Sequence, residues 1–103
     1  MARKYKLSSE KGGEILLVDD NLEYLEATRL LLSREGHNVT TAPGGAEALA
    51  ILEKSSFDLI LLDYFMPGMT GEEFVAELRK KNKIIQIILQ TGYASEHPPR
   101  ELL

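Results

Sequence analysis

Ile15-Leu16-Leu17-Val18-Asp19-Asp20-Asn21 is the stretch that decides the fold. Four consecutive apolar residues, β-branched at both ends, read as a strand covered on both faces, the mark of a parallel sheet. Asp19, Asp20 and Asn21 stop it. A second run of the same kind, Leu59-Ile60-Leu61-Leu62, lies within Asp58 to Asp63 and also ends on an aspartate. Two buried strands that each finish in carboxylates set both the architecture and the place to look for chemistry.

Helical patterns fill the space between such runs. Leu22 to Glu35 carries Tyr24, Ala27 and Leu31, with Leu25 and Leu32 beside them, as one apolar stripe. Gly36 is placed to end that helix. Asn38 to Thr41 is a short second strand, and Pro43-Gly44-Gly45 a turn. Ala46 to Lys54 is a helix with Ala48, Leu49 and Leu52 on one face. Met66 to Thr70 is a loop. Thr70 and Glu73 form a capping box for a helix over Gly71 to Lys81, with Phe74, Val75 and Leu78 inward. Ile84 to Gln90 is a fourth strand, and another helix begins at Ser95, with Pro98 in its first turn. Strands alternating with helices in this order imply a parallel sheet with helices on both faces.

The chain has 103 residues, room for one domain. Net charge is −4, which argues against a broad nucleic-acid footprint, and no cysteine is present, which excludes thiolate metal sites and disulfides. No apolar run approaches membrane-spanning length. Residues 1–13 read as a flexible tail ending in Gly12-Gly13, with no secretory signal, so a cytoplasmic location is expected.

In open parallel sheets, sites lie beyond the C-terminal ends of the strands. Asp19 and Asp20 follow the first strand, Asp63 the third and Thr91 the fourth. Three carboxylates and a hydroxyl are thus expected on one rim. Carboxylates that close repel one another and cannot all stay ionised without compensation. A hard divalent cation such as Mg2+ supplies that compensation and leaves room for phosphate oxygens. A carboxylate beside such an ion can attack a phosphoryl group to form an acyl phosphate. Blander roles stand beside these. Asp20 or Asn21 could cap the first helix, Asp63 could be a turn residue, and Thr91 could be structural.

The residues also resemble a known family. Leu16-Leu17-Val18-Asp19-Asp20, Asp63-Tyr64-Phe65-Met66-Pro67-Gly68-Met69-Thr70-Gly71 and Leu89-Gln90-Thr91-Gly92-Tyr93 are similar, in order and spacing, to the motifs of response-regulator receiver domains. The resemblance implies a flavodoxin-like, doubly wound α/β fold for residues 14–103 and a phosphorelay role in two-component signalling. It implies Asp63 as the phosphoacceptor and a histidine kinase or phosphotransfer protein as the donor. Asp19, Asp20, Asp63 and the Phe65 backbone carbonyl would serve Mg2+. Thr91 would contact the phosphoryl oxygens and act as a switch, and Pro67 and Gly68 would shape the loop.

Receiver domains also have a fifth strand ending in a lysine, followed by a fifth helix, and residues 92–103 are expected to be too few to hold either, so both are expected to be missing from this sequence. The fourth strand, hydrophobic and without proline, is then expected as an edge that invites dimerisation or a segment swap. Other readings are an aspartyl-phosphate phosphatase or phosphotransferase, a flavin binder and a receiver-like interaction module that is not phosphorylated. Phe65 stands where the phosphatases usually carry a second aspartate. The acidic Asp19-Asp20-Asn21 loop is unlike a phosphate-cradling flavin loop. The domain is therefore expected to act only on its own phosphorylation state, without touching nucleic acid or membrane. His37 and His97 read as surface residues, and Arg79, Lys80, Lys81 and Lys83 as complements to a helix C-terminus.

Overall fold

The computed structural model describes residues 12–64, 66, 68–81 and 85–90. The element order is β1 (Glu14–Val18), α1 (Leu22–Arg34), β2 (Asn38–Ala42), α2 (Gly45–Leu52), β3 (Leu59–Asp63), α3 (Gly71–Arg79) and β4 (Gln86–Gln90). All strand pairs are parallel, and the sheet order is β2-β1-β3-β4. The chain first winds outward from β1 to β2, then crosses back to β3 and β4. The strand order reverses between β1 and β3, which is where an open α/β sheet forms its crevice. The helix expected from Ser95 and the tail up to residue 11 lie outside the described residues, as do His97 and Lys83.

Alternation along the strands sorts the core into two layers. Leu16 and Val18 of β1, Ile60 and Leu62 of β3, and Ile85 pack with Ala48 of α2 and Phe74 and Leu78 of α3. Phe74, the largest of these, is fully buried. Burial of a side chain of that size contributes about 2 kcal/mol or more. Ile15 and Leu17 point to the opposite face, towards α1, and are buried as well, so β1 is covered on both sides as expected. In β3 the expectation of full burial needs correction. Leu59 and Leu61 are only half-buried. The reason is that α1 lies over β1 and β2 and leaves that side of β3 less covered.

The inward face of α1 also differs from the expected stripe. Leu25 is buried and Thr28 and Leu32 are half-buried, at i, i+3 and i+7. Ala27 and Leu31 face outward, with Leu31 59% exposed. The helix has apolar residues around most of its circumference, so the sheet rather than the pattern selects which of them turn inward.

Both helix ends that the sequence marked are built as such. Gly36, at φ 96°, follows Glu35, the C-cap of α1. Its N–H donates to the Ser33 carbonyl, and the His37 N–H donates to that of Leu32. This is a Schellman ending, which needs a left-handed residue at Gly36. At α3 the Thr70 hydroxyl accepts from the Glu73 N–H at 3.1 Å, and the Glu73 carboxylate accepts from the Thr70 N–H at 3.0 Å.

At the other end of the sheet, the Gly13 N–H donates to Nδ1 of half-buried His37 at 3.0 Å, and the Gly13 carbonyl accepts from Asn38. His37 thus ties the entry of β1 to that of β2. The basic residues at the end of α3 and just beyond it are engaged. Arg79 donates to the Ile85 carbonyl, Lys80 pairs with Glu77, and Lys81 pairs with Glu53.

Candidate functional site

The site lies where β1 and β3 end side by side. Val18 pairs with Leu62, so the residues after each strand meet at one margin of the sheet. Carboxylate oxygens of Asp19, Asp20 and Asp63 all lie within 4.8 Å of one another. Asp63 is 3% exposed and Asp19 8%, whereas Asp20 is open to solvent. The three aspartates that the sequence singled out are therefore brought together. Thr91, the Phe65 carbonyl and Pro67 lie outside the described residues.

Local hydrogen bonds explain how the pair after β1 is aimed. Asp19 accepts the Asn21 backbone N–H through Oδ1 at 2.9 Å, which folds the chain back at the end of the strand. Asn21 is the N-cap of α1, its Oδ1 accepting from the Tyr24 N–H at 3.0 Å. The choice left open between Asp20 and Asn21 is thereby resolved. Asn21 takes the cap, and Asp20 is left to join the carboxylate cluster.

Asp63 is set by its strand and by its neighbour in the chain. That neighbour, Tyr64, donates its N–H to the Gln90 carbonyl and accepts at its own carbonyl from the Gly71 N–H, each at 3.0 Å. The start of α3 is thus fastened to the residue after Asp63. Gly71 is buried, and a Cβ there would lie 3.1 Å from the Tyr64 Cα. Glycine allows that approach without displacing the backbone beside it.

The electrostatics are those of a site waiting for positive charge. Burial pushes the Asp19 carboxyl above its ordinary value of 3.8. The Asn21 N–H works against that shift, and the charge of Asp20 adds to it. Hard oxygen donors in this arrangement suit a small divalent cation that binds through carboxylates and keeps some of its waters. The Tyr64 phenol is raised as well, by burial first and then by Glu72.

One polar residue at this margin lies within a motif quoted from the sequence but was given no role there. Gln90, the last residue of β4, is paired with Asp63 and accepts a hydrogen bond from the Tyr24 hydroxyl. Gln86 opens the same strand with the same side chain, so nothing local in the sequence set Gln90 apart.

Comparison with known proteins agrees with this geometry. Residues 15–103 match the family model of the response regulator receiver domain. Transcriptional regulatory protein GlrR of Escherichia coli is 37% identical over 87 residues, 84% of this chain and 20% of GlrR. The chain thus spans about a fifth of the length of that curated relative. Among solved structures, the response regulator TrrA of Thermotoga maritima, in complex with Mg2+-BeF, superposes with a TM-score of 0.73 at 39% identity, covering 84% of this chain and 78% of that one. TrrA in complex with the histidine kinase ThkA matches with a TM-score of 0.73 at 41% identity, over 82% of this chain and 72% of that one. The fold, the convergence of acidic residues and these likenesses lead to one conclusion: the chain belongs to the response regulator receiver family and is a receiver domain of two-component signalling.

Proposed function

We propose that Asp63 accepts a phosphoryl group from a histidine kinase or phosphotransfer protein, at a site where Asp19, Asp20 and Asp63 hold Mg2+ together with the Phe65 carbonyl. The observation that carries this reading is the meeting of the three carboxylates within 4.8 Å at the strand-order reversal. A carboxylate oxygen of Asp63 attacks phosphorus, the bond from phosphorus to the donor imidazole breaks, and its electron pair returns to the ring nitrogen. Mg2+, when bound, offsets the charge shared by the carboxylates and the transferring group. Asp63 is held in place by its strand and by the bonds of Tyr64, so little reorganisation precedes attack. Burial raises the Asp19 carboxyl, and a bound cation would act against that shift by favouring the charged form. Thr91 contacts the phosphoryl oxygens in this reading and serves as the switch.

The domain in this reading catalyses only its own phosphorylation and dephosphorylation, and it touches neither nucleic acid nor membrane. Among the described residues no helix is long and apolar enough to cross a membrane. The test is incubation with a small-molecule acyl phosphate, with and without Mg2+, and then intact mass. A Mg2+-dependent phosphoryl adduct that is absent from Asp63→Asn is expected. An adduct that persists in that variant would place the acceptor elsewhere.

A homodimer or segment swap through β4 is proposed as well. Gln86-Ile87-Ile88-Leu89-Gln90 has no charge and no proline, and reads nearly the same in both directions. Ile88 and Leu89 are 48% and 50% exposed. Such a strand lacks the usual guards against pairing. Sedimentation should show concentration-dependent association, and a clean monomer at high concentration would count against it.

A further inference from the structure

Tyr24 and Gln90 stand 66 residues apart in sequence and meet at the end of β4, where Gln90 is paired with Asp63. The Tyr24 hydroxyl donates to Oε1 of Gln90 at 2.8 Å in a half-buried setting. Both partners are fixed by their backbones. Tyr24 lies in the first turn of α1, its N–H bound to the Asn21 cap. Gln90 closes β4, and its carbonyl accepts from the Tyr64 N–H.

The register places the Gln90 side chain. Gln90 is paired with Asp63, and paired residues of neighbouring parallel strands share a face, about 4.8 Å apart. Ile60 and Leu62 face α2 and α3, so Asp63 and Gln90 stand on the opposite face, the one that carries α1. That is where Tyr24 reaches Gln90.

The direction of the Tyr24 bond matters. An amide can present either its oxygen or its NH2 group to a neighbour. With Oε1 engaged by the hydroxyl, the NH2 group is what Gln90 has left to offer. Among the described residues that nitrogen meets no hydrogen-bond partner. Two donors held without an acceptor, one strand away from Asp63, suit an anion arriving at that aspartate. With the amide turned over, its oxygen would face the anion and repel it.

We propose that Gln90 is a phosphoryl-contact residue, its amide donating to oxygens of the group carried by Asp63, and that Tyr24 is the positioning residue that keeps the amide turned to donate. This rests on the reading of Asp63 as phosphoacceptor. It adds a donor supplied by the last residue of β4, distinct from the hydroxyl of Thr91.

The test uses beryllium fluoride with Mg2+ as the phosphoryl mimic and measures its affinity for the whole chain by calorimetry. Gln90→Leu should bind about tenfold more weakly, as expected when a hydrogen bond to a charged acceptor is lost. Tyr24→Phe, which removes only the hydroxyl, should lose about threefold, the size of a neutral hydrogen bond. Gln90→Glu keeps an acceptor for Tyr24 but removes the donors, and should bind most weakly of all. Affinity for Mg2+ alone should stay unchanged in Tyr24→Phe and Gln90→Leu, which separates loss of a phosphoryl contact from damage to the acidic site. Wild-type binding matched by unchanged affinity in Gln90→Leu and Gln90→Glu would overturn this inference and leave the role of Asp63 standing. Failure of the wild type to bind the mimic would overturn both.

Discussion

Asp19 accepts the backbone N–H of Asn21, and that one bond divides labour among three consecutive polar residues. Asp19 turns into the sheet margin, Asn21 caps α1, and Asp20 between them stays exposed at the mouth of the cluster. A local turn thus creates the first half of the site, and the end of β3 brings the second.

The division of labour can be separated by mutation. Asn21→Ala should cost about 1 kcal/mol of stability, the usual loss on removing an N-cap. Asp20→Ala should cost none of this and should stabilise the metal-free chain slightly by removing a like charge. Urea unfolding of both variants in chelator checks the pair. Equal losses would show that the cap is shared.

Asp19 should give the metal-free protein a defined pH dependence. Its carboxyl is raised above 3.8 in the folded chain, so the folded state holds that proton more tightly than the unfolded state. The stabilisation is therefore full below 3.8 and lost as pH rises through the higher folded value. Asp19→Asn should remove this decline and be the more stable form at neutral pH in chelator. The measurement is the difference between the two unfolding free energies across the acidic range. A difference that does not change with pH would contradict the assignment.

Gly71→Ala should destabilise, although alanine ordinarily favours a helix over glycine by about 1 kcal/mol. The added Cβ would press on the Tyr64 backbone, next to Asp63. A net loss of about 1–2 kcal/mol is expected from the crowding. Weaker Mg2+ binding should accompany it, because the strain falls on the site. Denaturant midpoints with and without Mg2+ report both effects, and a stabilised variant would refute the close approach.

Much of the fold was legible because burial on two faces leaves few choices for a strand. Ile15 to Val18 is such a strand, Leu59 to Leu62 is an inner strand covered fully on one face only, and the aspartates after them meet at one margin. The Thr70 and Glu73 capping box and the Gly36 ending were legible because each needs particular residues at fixed spacing. The face of α1 was not. Leu22, Leu25, Leu30, Leu31 and Leu32 leave several faces nearly as apolar as one another, and tertiary packing made the choice. Gln90 was given no role and His37 was read as a surface residue, although it is half-buried, for a different reason. Their roles come from partners 66 and 24 residues away, which no local pattern encodes.

Calorimetric titration of the chain with Mg2+, alongside Asp19→Asn, Asp20→Asn and Asp63→Asn, tests the shared cation site most directly. One ion per chain is expected in the wild type, with binding lost or strongly weakened in all three variants. Full-strength binding in Asp63→Asn would contradict the claim that the two halves of the sheet margin serve a single ion.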